Sequence, residues 1–156
     1  MADAPQDSQP VFTIEKIYVK DLSAEVPNAP QIFLERDTPR VDVQLSTKAQ
    51  PVDDGHYEVV LSVTTTATLN EKTVFLVEAH QAAIFQVRNL PKESLDPVLS
   101  ITCPNILFPY ARETVSDAIS RCGFPPFLLA PVNFEALYQA QRQQQSGQGE
   151  AAPTTH

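Results

Sequence analysis

The stretch YEVVLSVTTTATLNEKTVFLVEAHQAAIFQV, residues 57–87, decides the fold. Tyr57 to Leu69 is rich in β-branched residues, with Val59, Val60, Val63 and a run of threonines, and such side chains suit a pleated surface. Asn70-Glu71 makes a tight turn. Thr73 to Val87 then reads as a second long strand, apolar on both faces over much of its length. Phe75, Val77, Ala79, Ala83 and Phe85 share one face; Val74, Leu76, Ala82 and Ile84 share the other.

Upstream, VDVQLSTK (residues 41–48) alternates cleanly, Val41, Val43 and Leu45 against Asp42, Gln44 and Ser46. The turn Asp53-Asp54-Gly55 joins it to the first long strand, which makes a three-strand meander. VFTIEKIYVK (residues 11–20) reads as one more strand, with Phe12, Ile14 and Tyr18 on one face and Val11, Ile17 and Val19 on the other. Residues 21–40 hold Pro27, Pro30 and Pro39 and show no period. A connection that long without regular structure tends to be functional or disordered, and Ile32, Phe33 and Leu34 within it argue against plain disorder.

The second half is helical. Ser94 is placed to cap a short helix through Leu95 and Leu99, with Pro97 in its first turn. Cys103-Pro104-Asn105 reads as a break, after which a helix starts within residues 105–109 with Pro109 in its first turn. Ala111, Val115, Ala118, Ile119 and Cys122 form its apolar stripe, and Asp117 and Arg121 stand at i,i+4 on the wet side. Gly123 is the expected C-cap residue, and Asn133 can cap a last helix carrying Phe134, Leu137 and Tyr138. Residues 1–10 read as a flexible acidic arm. Fraying is expected from Gln143, with a disordered Gln-, Gly- and Ser-rich tail from Ser146, so residues 143–156 stand outside the domain. The expectation is one α+β domain over residues 11–142, a four-stranded antiparallel sheet with helices packed on one face.

The chain has 156 residues, 42% of them hydrophobic, and a net charge of −8. That length buries a real core. Eleven acids against five bases in the first sixty residues give −6, and no two basic residues are adjacent. Nucleic-acid binding and attachment to an anionic membrane both need clustered positive charge, so neither partner is expected. The N-terminus lacks the basic and apolar regions of a signal peptide, and no apolar run approaches a membrane span, so a cytosolic protein is expected. Cys103 and Cys122 flank a predicted helix that would hold them more than ~20 Å apart, so both are expected as free thiols.

The chemistry-bearing patterns are missing. The four glycines, Gly55, Gly123, Gly147 and Gly149, build no phosphate loop. His56, His80 and His156 do not stand at metal-ligand spacing with Cys, Glu or one another, so no metal or cofactor is expected. His80 falls in a strand, where a solvated or hydrogen-bonded role is the ordinary one. An enzyme is not expected.

Two connections break the rule that loops are polar. VPNAPQIFL (residues 26–34) and FPPFLLAPV (residues 124–132) are apolar and stiffened by proline. They can close over the core, form a subunit interface, or present a groove for apolar chain segments. The long strand with two apolar faces points to self-association. Asp21, Glu25 and Glu78, with Leu76 beside them, form either a solvated face or a docking place for a basic partner.

The blocks KDLSAEVPNAP (Lys20 to Pro30), CPNILFPYARE (Cys103 to Glu113) and APVNF (Ala130 to Phe134), in this order and spacing, carry a resemblance. Over about residues 10–140 the chain resembles the SecB family of bacterial protein-export chaperones. The resemblance implies a homotetramer built as a dimer of dimers, and a holdase without ATP that keeps preproteins unfolded and delivers them to the SecA motor ATPase. By position it implies a peptide groove at Phe33, Val41, Val43, Leu45, Phe127, Leu128, Leu129, Phe134, Leu137 and Tyr138. It implies a SecA-docking surface at Asp21, Glu25, Leu76 and Glu78. The chain departs from relatives that carry a tryptophan in the first connection: it has none, and position 37 is Asp37. The alternative reading is an oligomeric carrier whose apolar loops enclose a small lipid-like ligand.

Overall fold

A computed structural model describes residues 8–149. Four strands, β1 (Val11–Glu25), β2 (Arg40–Asp53), β3 (His56–Leu69) and β4 (Lys72–Arg88), form one sheet in the order β1-β4-β3-β2. Every neighbouring pair is antiparallel, as the alternation predicted. β2, β3 and β4 form the meander, and β1 lies beside β4 across a long connection, a Greek key run from the other chain end. β1 and β2 are therefore the sheet edges.

The turns have local causes. Asn70 and Glu71 have φ of 51° and 66°, the paired left-handed residues of a type I′ hairpin turn. Gly55 has φ of 73°, and a Cβ there would meet the Arg88 guanidinium carbon at 2.7 Å. That arginine crosses the turn to donate to the Asp54 carbonyl at 2.7 Å.

Two expectations for β1 are corrected. The strand runs five residues further, to Glu25, which shortens the irregular connection to residues 26–39, with one 3-10 turn at Gln31–Leu34. Register shifts between Ile14 and Lys16 and between Val19 and Asp21 also reset its alternation. Phe12, Ile14, Ile17, Val19 and Leu22 pair with Val87, Phe85, Ala83, Gln81 and Ala79, so they share one face, and Tyr18 takes the other. A bulge adds one residue to one strand and flips everything after it, which a period-2 reading cannot see. Gln81, buried opposite the second shift, donates to the Tyr18 carbonyl at 3.2 Å and accepts from Thr114 at 2.8 Å.

The helices are α1 (Lys92–Pro97), α2 (Cys103–Arg121) and α3 (Phe134–Gly149), with a π-helical segment, Val98–Thr102, between the first two. Ser94 does not cap α1; Pro91 stands before its first turn, and Pro97 ends the helix rather than starting it. Cys103-Pro104-Asn105 does not break the chain. The Cys103 N–H reaches back five residues to the Val98 carbonyl, and α1, the π segment and α2 run on as one rod. A prolyl nitrogen offers the helix no hydrogen and its ring crowds the preceding turn; one widened turn absorbs both faults. Pro109 likewise lies inside α2, not in its first turn, where it and Asn105 are both exposed.

Ala111, Val115, Ala118 and Ile119 are buried as the stripe predicted, against β3 and β4. The Asp117–Arg121 pair forms at 2.9 Å. α2 closes with Gly123 at φ of 91°, its N–H on the Ser120 carbonyl at 3.1 Å and that of Phe124 on Ile119 at 3.4 Å, a Schellman ending. Asn133 caps α3 through the Ala136 N–H at 3.0 Å. The tail expected from Gln143 and Ser146 overlaps the last turns of α3, and residues 150–156, like residues 1–7 of the expected arm, lie outside the described residues.

The core fills the space between α2 and the β3–β4 side of the sheet, with Val59, Leu61, Val77, Phe85, Leu107 and Ile119 fully buried. Cys103 joins it, and burial pushes its thiol up to about 12. Both cysteines are free. α2 leaves the apolar row of β1 open: Phe12, Ile14, Val19 and Leu22 are each more than 40% exposed. No described helix is long and apolar enough to cross a membrane, and the described residues hold no group of three metal-ligating side chains.

Candidate functional site: an apolar row and an acidic face

On β2 the pleat sends Val41, Val43 and Leu45 to the helix side, opposite Ala67, Thr65 and Val63 of β3. β2 lies at the sheet edge, and the three residues stay half-buried. A cavity opens at each end of this row, whose ends stand about 13 Å apart. The larger, about 450 Å³, is lined by Val41, Ile32, Phe75, Phe124 and Phe127. The other, about 270 Å³, is lined by Leu45, Leu99, Phe134, Leu137 and Tyr138. Val43 stands between them.

Both apolar connections wall the larger cavity, the smaller lies between β2, the π segment and α3, and each wall is tied down. Asn28 donates to the Thr73 carbonyl at 2.9 Å and Ile32 is buried. Phe33 stacks on Phe124 at 5.1 Å, and Phe124 leans on Phe75 at 5.3 Å. Arg112 donates to the Leu129 carbonyl at 3.1 Å while lying 4.7 Å over the Phe108 ring. Phe108 meets Phe134 edge-on at 5.9 Å. α3 is latched to α1 by the Tyr138 hydroxyl, which donates to Asp96 at 2.7 Å; that bond holds the phenol above its ordinary pKa.

The ten groove residues named from the sequence do not all meet. Val41 and Phe127 line the larger cavity, Leu45, Phe134, Leu137 and Tyr138 the smaller, and Val43 the row between. Phe33 stands behind Phe124, half exposed. Leu129 is buried, and Leu128, 72% exposed, lies beside the wet face of α2 with Pro109 and Arg112. Sequence reasoning missed Ile32, Phe75, Phe124, Leu99 and Ser100 as lining. Ile32 and Phe124 carried a signal, since both belong to the anomalous connections. Phe75 read as ordinary strand core, and Leu99 and Ser100 reach the cavity only because the helix continues where a break was expected.

The four acidic-face residues do meet. Glu25 pairs with Leu76, Ser23 with Glu78 and Asp21 with His80, which places Asp21, Glu25, Leu76 and Glu78 together on the side of the sheet opposite α2. His80 is hydrogen-bonded, as expected of a strand histidine, to Glu78 at 3.1 Å and Ser62 at 2.7 Å. Further along this face Glu58 accepts from Lys20 at 2.7 Å, from Tyr18, and from Gln50 at 3.0 Å. The Lys20 bond, then the Tyr18 bond, holds the Glu58 carboxyl below its ordinary value. Burial and Glu58 push the Tyr18 phenol up to about 12.

The protein-export protein SecB of Chromobacterium violaceum is 64% identical over 146 residues, covering 94% of this chain and 97% of that one. That of Dechloromonas aromatica is 63% identical over 142 residues, covering 91% and 93%. Among solved structures, the Mycobacterium tuberculosis Rv1957 SecB-like chaperone, in complex with a ChAD peptide from the Rv1956 HigA1 antitoxin, shares the fold. Its TM-score is 0.64 at 22% identity, over 78% of this chain and 90% of that one. The family model described as preprotein translocase subunit SecB matches residues 5–145, and the chain belongs to the SecB family.

Proposed function

We propose that this chain is an ATP-independent holdase of the cytoplasm. It binds apolar segments of unfolded preproteins along Val41, Val43 and Leu45, with larger side chains entering the cavities at either end. It then passes its clients to SecA through Asp21, Glu25, Leu76 and Glu78. The observation that carries this reading is the pair of cavities at the two ends of one apolar strand row, the larger of them walled by the two connections whose composition was out of place for loops. Residues 11–142 form the working domain, with residues 143–156 as tail.

Energetics fit a weak, permissive grip. Each large apolar side chain buried contributes about 1.5–3 kcal/mol, and ordering a floppy segment removes at least ~4 kcal/mol of the total. One groove therefore binds loosely. A homotetramer, as a dimer of dimers, repeats the groove and raises avidity by roughly 10²–10⁴ for a long client. The open β1 row of Phe12, Ile14, Val19 and Leu22, on an edge strand, suits the contact between copies. Folded clients hide their apolar segments and are not selected.

The test mixes the purified protein with a slow-folding preprotein, then with its folded form. Retarded refolding with no complex of the folded form is expected. A stoichiometric copurifying small molecule, with indifference to denatured protein, would replace this reading by the carrier.

A further inference from the structure

The π segment leaves the helix short of donors where it borders the smaller cavity. The Cys103 N–H serves Val98, one residue earlier than an α-helix would have it. The Thr102 N–H, in the same wide pattern, serves Pro97. The next residue is Pro104, which has no N–H. Leu99 therefore has no helical donor left for its carbonyl. For the Ser100 carbonyl only the Asn105 N–H is in reach, and the Ile101 carbonyl competes for it. No side chain among the described residues donates to Leu99 or Ser100. Carbonyls without donors are costly in a buried setting and are normally met by some partner. Leu99 is buried, Ser100 half-buried, and both line the smaller cavity across from Leu45, Ser46 and Thr47 of β2.

We propose that the Leu99 and Ser100 carbonyls form an acceptor ledge in the groove, which takes main-chain N–H groups of a bound, extended polypeptide. The inference rests on the holdase reading and adds its binding mode. Every residue except proline carries a main-chain N–H, so a ledge of this kind holds a chain without reading its sequence, while the apolar row supplies most of the affinity. An extended segment also has unpaired N–H groups, which a folded client has already used. Pro104 is the device that keeps the ledge free: a residue with an N–H at this position would consume one of the two carbonyls.

The probe is a fluorescent 12-residue peptide of alternating leucine and serine, with single amide-to-ester replacements along it, each removing one N–H. Against the wild-type protein, one or two ester positions should weaken binding roughly three- to tenfold, the worth of one hydrogen bond. Pro104→Ala should bind the all-amide peptide weaker by a similar factor and show no further loss with one of those esters. A flat ester scan on wild type, or equal ester losses in wild type and Pro104→Ala, overturns the ledge. Should Pro104→Ala not fold, the Leu99 carbonyl ¹³C resonance of wild type decides. It should move downfield with the all-amide peptide and less with the critical ester, and an unmoved resonance at saturation overturns the proposal. If the all-amide peptide fails to bind wild type at all, the holdase reading falls and the ledge with it; binding with a flat scan removes the ledge alone.

Discussion

The helix side of the sheet at β2 and the opposite side at β1 and β4 belong to one sheet and are built on contrary principles. At β2 a half-buried apolar row faces the groove, proline-stiffened connections wall its larger cavity, and the Thr65 hydroxyl next to the row is buried without a partner. On the opposite side the polar groups find each other, His80 with Ser62 and Glu78, and Glu58 with three donors. Apolar area is non-directional and accepts many shapes, whereas placed charge sets orientation and partner choice. One sheet can therefore carry a promiscuous surface and a selective one, provided they lie on different faces.

The contrast is broken most directly by putting charge into the apolar row. Val43→Asp removes an apolar contact and sets a carboxylate among Val41, Leu45 and the core. Affinity for an unfolded client should fall by at least ~2 kcal/mol, roughly thirtyfold, while binding of a basic partner on the other side stays within twofold. Glu78→Lys is the converse. Partner binding should weaken about tenfold, with the loss shrinking at high salt, and client binding should hold. Anisotropy titrations of both ligands at two salt concentrations read all four effects. Equal damage by both substitutions in folded protein would dissolve the division into two surfaces.

The acidic side can be sharpened through Glu58. Its carboxyl is held below the ordinary value of 4.5, chiefly by Lys20 and then Tyr18. A depressed carboxyl contributes stability that is fully present above the unfolded value and lost as pH falls through the folded one. Stability should therefore drop on acidification below about 4.5, and Glu58→Gln should flatten that drop while costing roughly 1 kcal/mol at neutral pH. Lys20 is half exposed, so solvent screening keeps its share small. Urea melts between pH 3 and pH 7 check this. An unchanged acid limb in Glu58→Gln would mean the network is decoration on a face set by other charges.

Much of this contrast was legible in the sequence, and the exceptions have physical causes. Alternation in Val41, Val43 and Leu45 placed the row on one face, because one side of β2 is polar and fixes the phase. β1 has apolar residues in both phases, so its bulges left no mark on the pattern, and Tyr18 was grouped with Phe12 although they lie on opposite faces. Pro104 read as a helix end because local rules make it one. Here Cys103 and Pro104 are both fully buried, and that packing holds the rod through the fault. The cavities depend on where Phe75 and Phe124 meet, a contact 49 residues apart in sequence, and no local pattern encodes it. What the sequence did disclose was the oddity of apolar connections, and that signal led to the walls of the larger cavity.

The smallest effect tests the other half of the contrast, the unmet hydroxyl beside the apolar row. Thr65 is fully buried between Val43 and Val77 in register, and its Oγ1 has no hydrogen-bond partner. An unmet hydroxyl costs desolvation that nothing returns, and valine fills nearly the same volume without it. Thr65→Val should stabilise the fold by about 1 kcal/mol, raising Tm by roughly 2–4 °C. It should leave client affinity unchanged, because the side chain lies beneath the row. Calorimetry of the two proteins at the same concentration decides it. A loss of similar size would mean the hydroxyl is held after all. The Thr65 hydroxyl would then be met like the side chains of the acidic side, and apolar exposure would carry the contrast between side chains.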